Sequence, residues 1–214
     1  MANLQDFYEE FHGTKYRPGK ISFHGDERGA HFASLIGTGK LVVDIGIRSG
    51  EVAAFYNKGN TLVGVDFDRN CLQIAAENLG IETVHHDVSN PLPFPDEHCD
   101  VVVLAEIIEH LFLPEVLIKE AHRILRKGGR LIGSTPNAMF WKTRIKFLFG
   151  KFDEFIFSDE HIRQWSAASL TKSLCIAGFE NVDIAVHETS KWIPARLAGA
   201  AAGRGLLFSG KKPV

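Results

Sequence analysis

An apolar run broken by one acid, Leu41-Val42-Val43-Asp44-Ile45, leads directly into Gly46-Ile47-Arg48-Ser49-Gly50. A second run, Thr61-Leu62-Val63-Gly64-Val65, ends on Asp66. Continuous apolar strands of this kind suit a sheet covered by helices on both faces, which points to parallel pairing. A glycine loop after the first strand lets backbone approach a ligand closely. An acid at the tip of the next strand can accept hydrogen bonds from both hydroxyls of a ribose. These two segments predict an α/β doubly wound sheet with a nucleoside site at the carboxyl ends of its strands.

The rest of the chain follows this alternation. Strands are expected at 41–45, 61–66, 82–86, 100–105 and 130–135, with helices at 50–57, 69–79 and 114–127. In the last helix Val116, Leu117, Glu120, Ile124 and Leu125 recur at helical spacing before Gly128-Gly129 stops it. A helix near 167–177, a strand at 182–187 and a last strand at Leu206-Leu207-Phe208 complete the pattern. The Ala/Gly-rich stretch 195–205 reads as a flexible connection or short helix. The chain is read as a single domain, 1–214, with an aromatic, His-rich cap over residues 1–40 and a cap insertion at about 137–165.

Composition narrows the classes. With 45% hydrophobic and 23% charged residues the chain is ordinary for a globular protein. A formal net charge of −2 supplies no global field for nucleic acid. Cys71, Cys99 and Cys175 make neither a disulfide framework nor a zinc pattern, which suggests a reducing compartment. Residues 1–6 lack a signal-peptide pattern, and no apolar run approaches the roughly 20 residues that span a bilayer. A cytoplasmic protein without a membrane span is expected.

A dinucleotide fold would want G-x-G-x-x-G after the first strand; only Gly46 and Gly50 are present. The wider pattern resembles the class I S-adenosylmethionine-dependent methyltransferases, whose first motif reads roughly D-x-G-x-G-x-G. Here it is Asp44-Ile45-Gly46-Ile47-Arg48-Ser49-Gly50. Asp66, Asp87-Val88, Leu92-Pro93-Phe94-Pro95, Ala105-Glu106-Ile107-Ile108-Glu109-His110-Leu111 and Thr135-Pro136-Asn137 follow in family order. Within the family the chain is most similar to ubiquinone-biosynthesis-type O-methyltransferases and to Thr-Pro-Asn methyltransferases. The resemblance implies a Rossmann-like sheet, mostly parallel with an antiparallel last strand. It also implies S-adenosylmethionine as cofactor, held by Asp44, Gly46, Gly50, Asp66, Asp87, Val88 and Glu106. Arg48 departs from the pattern, standing where glycine is usual. It is read as harmless on the expectation of a negative φ, with its side chain in solvent or over the cofactor carboxylate.

Each acid also has a plainer role. Asp44 could cap the loop, and Asp66 and Asp87 could form turns. Placement at successive strand ends favours the ligand role. His85 and His86 read as strand-end neighbours, and His12 and His24 as structural.

Methyl transfer from a sulfonium needs alignment above all, and a hydroxyl acceptor must also lose its proton. On a helix after the fourth strand, Glu106, Glu109 and His110 would share a face. With His161 they resemble the metal constellation of small-RNA 2′-O-methyltransferases, so a divalent metal such as Mg is a candidate ligand. The alternative role for this run is packing and capping around the cofactor. Without metal, His110 or His161 is the candidate general base. The basic, aromatic stretch Trp141–Lys151 could contact phosphate, form an amphipathic cap or touch a membrane surface; the cap is favoured. The expected partner is a small-molecule acceptor such as a sugar or phenol. The alternatives are a metal-dependent RNA 2′-O-methyltransferase and a binding module that has lost catalysis. Sequence leaves the oligomeric state open.

Overall fold

A computed structural model describes residues 25–151, 161–189 and 199–214. The elements, numbered here in chain order, are α1 (Gly25–Ile36), β1 (Leu41–Ile45), α2 (Ala54–Asn57), β2 (Thr61–Asp66), α3 (Arg69–Leu79) and β3 (Glu82–His85). After them come β4 (Cys99–Ala105), α4 (Pro114–Ile124), β5 (Leu125–Pro136), α5 (Trp141–Leu148), α6 (Ala167–Ile176), β6 (Glu180–Thr189) and β7 (Gly203–Lys211). One seven-stranded sheet runs β3-β2-β1-β4-β5-β7-β6. β1 to β5 pair in parallel, while β7 lies antiparallel to both β5 and β6. This is the expected doubly wound sheet with its antiparallel last strand. The order reverses between β1 and β4, the crevice where such sheets bind ligands.

The period of two along the strands divides the core. Val43, Ile45, Val102, Leu104 and Leu131 face α4 and α6, meeting Leu117, Ile118, Ile124, Leu170 and Leu174. Val42, Val101, Val103 and Ile132 point the other way, toward Phe32 and Ile36 of α1 and Tyr56 of α2. Each fully buried aliphatic side chain stabilises the fold by roughly 1.5–3 kcal/mol. α3 is delimited as its sequence suggests. Asp68 accepts from the backbone N–H groups of Asn70 and Cys71, and Gly80 closes the helix at φ +65°.

Two helices are shorter than expected. The segment predicted as a helix at 50–57 is helical only from Ala54, because Gly46, Arg48 and Gly50 all have positive φ and turn the chain over the strand tip first. The helix expected to reach 127 ends at Ile124. Leu125 is fully buried and pairs with Cys99, which commits the chain to β5 before Gly128-Gly129. Lys212 Nζ donates to the Leu125 carbonyl (2.8 Å), and the Lys212 backbone N–H donates to Gly129 (2.9 Å). β7 also begins earlier than 206, after a 3₁₀ turn at Gly199–Ala201. Residues 1–24, most of the expected N-terminal cap and the home of His12 and His24, lie outside the described residues, as do 152–160 within the expected insertion. Among the described residues no helix is long and apolar enough to cross a membrane.

Candidate functional site

Parallel pairing brings the carboxyl ends of β1, β2, β4 and β5 to one edge of the sheet. Asp44 and Gly46, Asp66, the Glu106–His110 run and Thr135–Asn137 all fall there.

Asp44 is buried near the end of β1. Its Oδ2 accepts a 2.6 Å hydrogen bond from the Tyr56 hydroxyl, while Oδ1 is buried with no protein partner. Burial, with the Asp66 charge adding to it and the Tyr56 bond opposing it, raises the Asp44 pKa to about 7. The loop that follows is pinned to β2, since the Gly46 N–H donates to the Val65 carbonyl at 2.8 Å. Gly46 has φ +78°, and a Cβ there would stand 2.8 Å from Ile107 Cδ1. Gly50 has φ +82°, and its Cβ would stand 2.6 Å from Leu79 Cδ1. Both positions therefore favour glycine for conformation, and a Cβ would also displace the Ile107 or Leu79 side-chain tip.

Arg48 occupies the left-handed region at φ +52°, which corrects the expectation of a negative φ. A residue with a Cβ carries a cost of about 1–2 kcal/mol in that conformation. The loop offsets part of it, because the Arg48 N–H donates to Asp66 Oδ2 at 2.8 Å. Asp66 Oδ1 accepts from the Asp68 N–H at 2.9 Å. Asp66 thus ties the glycine loop to the start of α3 through both of its oxygens.

Asp87 forms the turn that was its plainer role: its Oδ1 accepts from the Ser89 N–H at 2.9 Å. Val88 is half-buried against the core. His85 stacks on Phe67 with ring centroids 5.6 Å apart, as a strand-end neighbour.

The acidic run after β4 departs from its expected geometry. Glu106 has φ +53° and lies outside any helix, and Ile108–His110 form a single 3₁₀ turn. The i, i+3, i+4 face that would have grouped Glu106 with Glu109 and His110 is therefore absent. Glu106 turns instead to the buried Arg28 of α1, with Oε1 3.1 Å from Nη1. Its N–H donates to the Ser134 carbonyl at 3.0 Å.

Glu109, His110 and His161 do come together, with one ligand atom from each lying within 4.8 Å of the others. Glu109 is almost wholly buried; its Oε2 accepts from the Thr135 hydroxyl at 3.0 Å, and Oε1 is buried with no protein hydrogen bond. Desolvation first, and the Glu106 charge second, hold its carboxyl well above the usual range. The imidazoles of His110 and His161 meet edge-on at 4.9 Å. The Arg163 N–H donates to the Glu109 carbonyl at 3.0 Å, docking the His161 segment onto the 3₁₀ turn. In the Thr-Pro-Asn run, Thr135 orients Glu109, and Asn137 joins β5 to β7 by donating from Nδ2 to the Gly203 carbonyl at 2.8 Å. A groove of about 510 Å³ lies elsewhere, between α4 and α6, and no residue of the glycine loop lines it.

Three residues that shape this edge were missed in the sequence, Arg28, Tyr56 and Asp68, while Thr135 was read only as part of the Thr-Pro-Asn motif. Asp68 alone carried a local signal, an acid directly before a helical pattern. The others act across tertiary contacts.

Residues 43–133 match the model of a methyltransferase domain family. A probable S-adenosylmethionine-dependent methyltransferase of Mycolicibacterium smegmatis is 34% identical over 122 residues, covering 57% of this chain and 44% of that protein. The chain thus spans less than half the length of this mycobacterial relative. The ubiquinone/menaquinone biosynthesis C-methyltransferase UbiE of Pseudomonas fluorescens is 30% identical over 176 residues, covering 70% of this chain and 68% of the relative. Among solved structures, an S-adenosylmethionine-dependent methyltransferase from Archaeoglobus fulgidus superposes with a TM-score of 0.71 at 18% identity, over 97% of this chain and 100% of that one. The strand order, the glycine loop between two acids and these likenesses agree: the chain belongs to the class I S-adenosylmethionine-dependent methyltransferases.

Proposed function

We propose that the protein binds S-adenosylmethionine at the β1–β2 edge and transfers its methyl group to an oxygen of a small acceptor such as a sugar or phenol. The observation that carries this reading is the loop 46–50, with glycines at positive φ at both ends, set between Asp44 and Asp66 on adjacent strands. The Asp66 carboxylate, at the tip of β2, would receive the ribose hydroxyls. Asp44 Oδ1, buried and unpartnered, would receive a cationic donor such as the cofactor's ammonium. Glu106, Asp87 and Val88 complete the proposed cofactor set.

The sulfonium methyl is already electrophilic. The acceptor oxygen forms its bond to that carbon as the carbon–sulfur bond breaks, and the hydroxyl proton leaves to a base. His110 and His161 are the candidates, since an imidazole titrates near neutrality. Glu109, fixed by Thr135, would orient them.

A second reading adds a divalent metal such as Mg. Glu109, His110 and His161 fit one, because Glu109 Oε1 lacks a protein hydrogen-bond partner and all three donor atoms fall within 4.8 Å, about twice a typical metal–ligand distance. Glu106, engaged by Arg28, is left out of that set. A bound ion would lower the pKa of an acceptor hydroxyl.

The test is calorimetric titration with S-adenosylmethionine and S-adenosylhomocysteine, followed by labelled methyl transfer over a panel of sugars, phenols and RNA 3′ ends with and without chelator. Absence of heat with both ligands rejects the reading. Turnover confined to RNA and abolished by chelation would replace it with the metal-dependent RNA alternative. Binding without turnover on any acceptor would favour a non-catalytic module.

A further inference from the structure

We propose that α5 and the loop tip at Phe112-Leu113 seat this protein on an anionic lipid surface. At about 100° per residue, α5 divides cleanly. Thr143 is buried and marks the side facing the protein, while Ile145 and Leu148 lie on roughly the opposite side and are exposed, Leu148 at 83%. Lys142 and Lys146 flank this apolar strip on one side and Arg144 on the other, all exposed. Gly150 ends the helix at φ +68°, leaving Phe149 75% exposed and Lys151 beyond it. Phe112, 82% exposed, and Leu113 follow β4, while α5 follows β5, so both features emerge from the same edge of the sheet as the site.

Charge selects the occupant. Between Phe140 and Lys151 the chain carries four cations, Lys142, Arg144, Lys146 and Lys151, and no carboxylate. The nearest acids in sequence, Asp153 and Glu154, fall outside the described residues. The net charge of −2 on the whole chain does not oppose this, because at physiological salt a membrane's potential reaches only about 8 Å and acts on the charges beside it. Cations bordering an outward strip of Ile145 and Leu148 match headgroups around acyl chains. Trp141, which by the same spacing lies on that strip, is an aromatic suited to the headgroup level, and a second copy of the chain would bring like charges together. The inference does not rest on the methyl-transfer reading, since seating requires no cofactor.

The experiment is co-sedimentation of the full chain with vesicles of phosphatidylcholine alone and with about one third phosphatidylglycerol. Expected is binding to the anionic vesicles at least about tenfold tighter, weakening as salt rises. An Ile145→Ser/Leu148→Ser variant should lose about tenfold on the anionic vesicles with every charge retained. Lys142→Glu/Arg144→Glu should abolish the preference for phosphatidylglycerol. Both variants alter exposed positions, so their melting temperatures should match the parent, which separates lost docking from lost folding. Equal or absent binding to the two vesicle types overturns the proposal. So does salt-sensitive binding that the serine variant leaves unchanged, or a dimer in sedimentation velocity that the serine variant disperses.

Discussion

The two halves of the sheet's carboxyl edge are built by different means. On the β1–β2 side, Asp66 holds backbone N–H groups from Arg48 and Asp68, and the loop bonds back to Val65. Apart from the Tyr56 hydroxyl on Asp44, main chain meets main chain or a strand-end acid, within a span of some twenty residues. On the β4–β5 side, Glu109 is oriented by Thr135 from β5, and its neighbour His161 arrives from a segment docked through Arg163. The first half is a backbone device that any sequence with the right glycines and acids can make. The second is a side-chain assembly that each sequence can alter. A shared cofactor and a variable acceptor would call for this division.

The sharpest way to break the comparison is Asp66→Ala. It leaves the Arg48 and Asp68 N–H groups unpaired, a cost of roughly 1–3 kcal/mol for each buried donor. On the proposed reading it also removes the acceptor of both ribose hydroxyls. Calorimetry should show the S-adenosylmethionine Kd rise by about 100-fold or more, since two hydrogen bonds to a charged group are together worth roughly 3 kcal/mol or more. Unchanged affinity would remove the ligand from this half of the edge.

Glu109→Gln tests the other half. Turnover on an acceptor found in the panel should fall about 10- to 100-fold, while the cofactor Kd stays within about threefold. If the cofactor Kd moved as far as turnover did, the two halves would not be separable.

The same division explains what the sequence disclosed. Asp44, Gly46, Gly50 and Asp66 could be recognised because their geometry is set by neighbours in the chain. The parallel, doubly wound sheet followed from apolar runs that had to be buried on both faces. Glu106 was misplaced because spacing along the chain assumes a helix, and the chain instead takes φ +53° there to meet Arg28. Tyr56 gave no signal, and Thr135 showed as a motif residue without its partner, since a buried hydroxyl finds its carboxylate only once the fold exists. Arg48 disclosed its identity and hid its backbone.

Asp44 makes a smaller, pH-dependent prediction for the unliganded protein. Its folded pKa of about 7 stands above the ordinary 3.8. A raised acid contributes stability that is complete below about pH 4 and is lost as pH climbs through 7. Between pH 5 and pH 8 the melting temperature of the parent should therefore fall relative to that of Asp44→Asn by roughly 5–10 °C, because the loss runs over about two units, up to the folded pKa, at about 1.4 kcal/mol per unit and 2–4 °C per kcal/mol. Parallel curves would mean that Asp44 is solvated and leaves no buried charge for the cofactor to meet. The cofactor itself should bind more tightly as pH rises over the same window, because an ammonium favours the ionised carboxylate.

The smallest effect is the most discriminating about the loop. Arg48→Gly relieves a side chain from the left-handed region, worth about 1–2 kcal/mol, but it also frees the unfolded chain, which takes back roughly 0.4–1 kcal/mol. The net gain should be near 1 kcal/mol, or about 2–4 °C in melting temperature. If the loop is a backbone device, the N–H at position 48 still reaches Asp66, and the S-adenosylmethionine Kd should change by less than about threefold. If the Arg48 guanidinium instead lies over the cofactor carboxylate, affinity should drop by tenfold or more, at about 1.5–3 kcal/mol for a hydrogen bond to a charged group, even as the protein becomes more stable. A rise in stability with a fall in affinity would show that this chain has put a side chain to use where relatives of its family usually keep only backbone.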